Sequence, residues 1–94
     1  MIQLSKNLKL TSVQENNYRN GKLLAVVCYF TFFDEEGVAY IGIDKLDNEH
    51  PSFGITEIAS ELSDSFNKLI EDNWDKIVVK CKEYLKEWEL ENAE

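Results

Sequence analysis

Histidine occurs once in this 94-residue chain, at position 50, beside the single proline, and there are only four glycines. A lone histidine in a polar loop makes a poor general base. No Gly-x-Ser-x-Gly turn, phosphate-binding glycine loop or dinucleotide fingerprint is present, and the serines have no triad context. These absences point away from an enzyme and away from any cofactor. The longest apolar run, Leu23 to Phe30, is far short of the roughly 20 residues needed to span a bilayer. The first residues, Met1-Ile2-Gln3-Leu4-Ser5-Lys6, lack the apolar core of a signal peptide. A cytoplasmic protein with no membrane contact is expected.

Cysteine is nearly as scarce. Cys28 and Cys81 have no second cysteine or histidine at metal-ligand spacing, so no metal centre is expected. Both read as reduced core residues, with a Cys28–Cys81 disulfide as the alternative. Asp44, Asp47 and Glu49 in one loop, and Glu57, Glu61 and Asp64 on successive helical turns, are oxygen clusters of the kind hard cations use. They lack calcium-loop spacing and read as solvated carboxylates.

What the chain does have is apolar and aromatic content, 44% and 12%, enough for one domain with a modest core. Lys22 to Lys45 organises it. Two β-branched, aromatic-rich runs, 23–33 and 38–43, flank Asp34-Glu35-Glu36-Gly37, a hairpin signature. Residues 2–15 read as a half-exposed first strand, joined to the second by Asn20-Gly21, a strong two-residue turn signal. A loop at 34–37 sets Phe33 opposite Val38, Phe32 opposite Ala39, Phe30 opposite Ile41 and Cys28 opposite Ile43. These pairs, with Val26, define an apolar core face, leaving Tyr29, Phe33 and Tyr40 on the other. A strict turn at Asn20-Gly21 then places Leu8 and Leu10 on the Tyr29 side. Either a bulge near residues 11–16 corrects the parity, or the second face is also buried.

From Ile55 the apolar period becomes helical: Ile55, Ile58, Ala59, Leu62, Phe66, Leu69 and Ile70, then Trp74, Ile77, Cys81, Tyr84, Leu85 and Trp88. Thr56 is the candidate N-cap. Because Asp and Asn prefer caps to helix interiors, Glu71-Asp72-Asn73 marks a break, giving helices of about 56–71 and 74–90. A single bent helix is the alternative. The expected fold class is α+β, a three-stranded antiparallel β-meander followed by two C-terminal helices packed on one face (βββαα).

The net charge of −8 is concentrated in residues 34–75, which hold twelve acids and two lysines, whereas residues 1–33 are net positive. Such a field repels nucleic acid and attracts basic protein surfaces. Solubility alone is the plainer reading. Asp34-Glu35-Glu36-Gly37, followed by Val38-Ala39-Tyr40-Ile41 and a helix bearing Phe66 and Trp74, resembles the sheet-and-helices half of certain phage-encoded anti-CRISPR inhibitors. The resemblance spans residues 34–75, and that family's N-terminal helix has no counterpart here. It implies a protein of a phage or mobile element that displays carboxylates where a nuclease expects phosphates.

The expectation is therefore a non-enzymatic acidic protein-binding module, a nucleic-acid-mimicking inhibitor of a basic nuclease or DNA-binding protein. Its acidic contacts are Asp34, Glu35, Glu36, Asp44, Asp47 and Glu49, and it binds no nucleic acid directly. The alternative is a structural or assembly protein that homodimerises through Tyr29, Phe33 and Tyr40, since aromatic side chains anchor interfaces.

Overall fold

A computed structural model describes residues 2–48 and 50–92. It contains β1 (Ile2–Gln3), β2 (Leu8–Arg19), β3 (Lys22–Phe32), β4 (Glu35–Gly42) and β5 (Thr56–Glu57), then α1 (Ser63–Asp72) and α2 (Trp74–Glu91). The strands form one antiparallel sheet in chain order. The fold is α+β, and the expected three-stranded meander is the centre of a five-stranded sheet.

Two local effects make the difference. Residues 2–15 are not one strand, because the chain folds back at 4–8, where the amides of Leu4 and Ser5 both donate to Leu8 O, at 2.9 and 3.1 Å. Ile2 consequently pairs with Leu10. Thr56, expected as a helix cap, lies instead in β5 at the sheet edge, and its hydroxyl donates to Asn67 Oδ1 of α1 at 2.7 Å. The helix starts only at Ser63, after a 3₁₀ turn at Ser60–Leu62. Between the helices the break falls at Asn73 (φ −111°, ψ 18°). Its side-chain amide donates to Leu69 O at 2.9 Å, so the capping preference of Asn yields two helices rather than one bent one.

A bulge resolves the parity of β2. Leu10 pairs with Phe30 but Ser12 with Tyr29, leaving Thr11 as an extra residue, and Thr11 Oγ1 donates to Tyr29 O at 2.9 Å. Leu8 and Leu10 thereby join the core. Two further irregularities leave Asn16 and Leu24 without cross-strand partners. The second turns Leu23 inward and Leu24 outward, and the former is buried while the latter is 42% exposed. The Asn20-Gly21 turn forms as expected, with φ of 53° and 75° and Arg19 opposite Lys22.

The β3–β4 register differs from the expected one. Phe32 pairs with Glu35, Phe30 with Gly37, Cys28 with Ala39 and Val26 with Ile41, a slide of four residues along β4. Ile43 falls beyond the strand in a 3₁₀ turn at Ile43–Lys45. Because the slide is even, the residues that remain paired keep their expected faces. The turn itself is only Phe33-Asp34, with φ of 49° and 66°. Gly37 is a core-facing strand residue and not the end of a loop.

The reason lies across the core. A Cβ built on Gly37 would sit 2.7 Å from Phe66 Cζ and 2.8 Å from Cε1. Phe66 lies edge-on to Phe30, centroids 5.4 Å apart, and tilted against Phe32 at 5.9 Å. Ile70, Ile77, Cys81 and Trp88 extend the same buried cluster along the helices. Replacing Gly37 by Ala should therefore destabilise the fold by about 1–3 kcal/mol, the usual effect of overpacking a tight core. Chemical denaturation measures it, and adding Phe66→Leu should recover part of the loss, because the two sites are coupled through one volume.

Candidate functional site

The helices cover one face of the sheet, which leaves the opposite face and the turn tips as the surfaces on which a site can be built. On the open face the register sets out three cross-strand rows: Lys9, Thr31 and Glu36; then Ser12, Tyr29, Val38 and Glu57; then Gln14, Val27 and Tyr40. Tyr29 and Tyr40 thus share this face on adjacent rows, as expected. Tyr29 is 38% exposed. Tyr40 is half-buried, with its hydroxyl 3.5 Å from Glu57 Oε2. Desolvation, and then the Glu57 carboxylate, push the Tyr40 hydroxyl above its ordinary value of 10.0.

Phe33 is not on this face but in the turn at the end of the sheet. Its ring lies 4.6 Å from that of Phe32 and is 53% exposed. Its φ of 49° is a left-handed conformation that bulky residues rarely adopt. The amide of Phe33 donates to Asn7 O at 3.3 Å, which ties the tip to the 4–8 turn. A groove of about 300 Å³ separates them, lined by Lys6, Lys9, Phe33 and Asp34 among others.

The acidic residues do not form one patch. Asp34 is at the tip, but Glu35 and Glu36 lie in β4 rather than in a loop and point to opposite faces. Glu35 is level with Phe32 on the helix side, and Glu36 with Thr31 on the open side. Asp44 and Asp47 follow the far end of β4, about 25 Å away at the rise of an extended strand. Asp47 pairs with Lys82 of α2 at 3.0 Å, and Asp44 lies 3.8 Å from Lys45. Asp34, Glu35 and Glu36 are exposed and have no ion pair among the described residues. Glu49 lies outside the described residues. No three His, Cys, Asp or Glu side chains among the described residues are placed to hold a metal. No helix among them is long and apolar enough to cross a membrane.

Sequence reasoning missed the open-face row of Lys9, Thr31 and Glu36, since it depends on the bulge at Thr11 and on the slide of β4. The two cysteines do come together, as reduced core residues and not as a disulfide. Cys28 on β3 and Cys81 on α2 are free thiols, fully buried, with their Sγ atoms 3.6 Å apart. Comparison with protein-family models, curated proteins and solved structures finds no match to this chain.

The hydrogen bond with Cys81 and then burial push the Cys28 thiol far above its ordinary value of 9.0. The unfolded chain therefore releases this proton first, and stability falls as pH rises above the ordinary thiol value. Urea midpoints should be level below about pH 9 and decline above it. Cys28→Ala should remove the part of the decline that begins near the thiol value. The later part, from Tyr40 and Tyr84, whose hydroxyls are also raised, should remain.

Proposed function

We propose that this is a non-enzymatic protein-binding module whose hairpin tip engages a basic site on another protein, in the manner of a nucleic-acid-mimicking inhibitor. The observation that carries this reading is the tip itself. An exposed aromatic, Phe33, is held at φ 49° and followed by three exposed carboxylates that have no ion pair among the described residues. A bulky residue in that conformation costs on the order of 1–3 kcal/mol, and such strain is concentrated at contact sites. An apolar anchor beside unneutralised carboxylates suits a partner that normally grips phosphates beside a stacked base. Asp44 and Asp47, each close to a lysine of this chain, are secondary contacts. A cytoplasmic, phage or mobile-element setting goes with this reading.

The test is capture of a partner from host lysate on the immobilised protein, followed by competition with duplex DNA and by comparison with a tip variant. Phe33→Asn with Glu35→Lys should leave stability within about 1 kcal/mol, since relief of backbone strain offsets the lost Phe32 contact. The captured partner should be a basic protein that DNA displaces, and the double variant should weaken its binding at least about tenfold. Retention of full affinity by the variant, or indifference to DNA, would sink the proposal.

A further inference from the structure

The open sheet face carries a pattern of which the tip reading uses only Glu36. In one row, Lys9 on β2 and Glu36 on β4 flank Thr31 on β3. In the next, Glu57 on β5 again lies on the β4 side. Between the flanks run Tyr29, Val38 and Tyr40, an apolar and aromatic centre around the buried Val27. Neither Lys9 nor Glu36 has an ion-pair partner among the described residues. The charge on this face is thus split across β3, basic on the β2 side and acidic on the β4–β5 side.

A face divided in this way is complementary to itself. A two-fold axis running along β3, between two stacked sheets, carries the β2 side of one copy over the β4 side of the other at the same level along the strands. Lys9 then meets the partner copy's Glu36, and the contact occurs twice. Tyr29 closes on its counterpart at the axis, and Val38 lies over the partner copy's Ser12. An axis across the strands would set Lys9 over Lys9 and Glu36 over Glu36.

We infer that the open face is the interface of a two-fold homodimer, with sheets stacked face to face and Lys9–Glu36 pairs on both sides of the axis. This does not depend on the tip binding a partner. Glu35 points to the helix side and stays outside the interface, whereas Lys9 also lines the groove beside Phe33, so the tip reading is tested at Glu35 and the dimer by its mass.

Sedimentation equilibrium with charge reversal tests the inference. The wild-type protein should show twice the chain mass in a concentration-dependent manner. Lys9→Glu alone and Glu36→Lys alone should each weaken the dimer at least about tenfold, because each sets like charges together twice. The combined K9E/E36K chain should recover it, with circular dichroism confirming that all variants remain folded. A wild-type monomer at every concentration up to its solubility limit overturns the inference and leaves the face to a foreign partner. So does a dimer indifferent to either reversal, or one that the double exchange fails to restore.

Discussion

Phe66 against the bare backbone of Gly37 is the contact on which the rest of the molecule depends. The ring lies where a Cβ would otherwise be, with Phe30 and Phe32 on the same side. It therefore links the first helix to both central strands. Since only glycine leaves this space, Gly37 must stand opposite Phe30, and the register of the whole β3–β4 pair follows from that. With Gly37 drawn into the strand, four residues no longer remain for a loop. The turn contracts to Phe33-Asp34, and a phenylalanine is held in the left-handed region.

The same contact decides where the charges go. Moving the turn back by two residues places Glu35 and Glu36 in a strand, where successive side chains point to opposite faces. One carboxylate is sent to the helix side and the other to the open side, and the far pair, Asp44 and Asp47, is left beyond the other end of β4. A run of acids that is continuous in sequence becomes a tip, a face and a distant loop, each with different neighbours. On β2, the bulge at Thr11 acts in the complementary sense. It keeps Leu8 and Leu10 under the helices while Lys9 remains beside Thr31 on the open side.

Covering one face with helices has a second consequence, seen at Cys28 and Cys81. The helix-covered face is dry enough to bury both thiols completely, whereas the opposite face, with only loops and short edge strands around it, leaves Tyr29 in contact with solvent. The two sides of β3 thus differ, although Val27 on the open side is itself buried. That asymmetry leaves Tyr29, Val38 and Tyr40 outside the core cluster under the helices.

Much of the fold was legible in residue pattern alone. Alternation placed Val26, Cys28, Phe30, Phe32 and Ile41 on one face, and an even slide of register could not disturb that assignment. Asn20-Gly21 specified its turn, because both residues tolerate positive φ, and Asn73 divided the helices, because its side chain reaches the preceding carbonyls. What pattern could not decide was any position set by a partner distant in sequence. The role of Gly37 depends on a ring 29 positions later. The brief strand at Thr56 depends on an open sheet edge, and the row of Lys9, Thr31 and Glu36 on a one-residue bulge. Local propensity determined which residues turn, cap and hide. Packing between segments that meet only in the folded chain decided the register, and with it which charges and aromatics stand together.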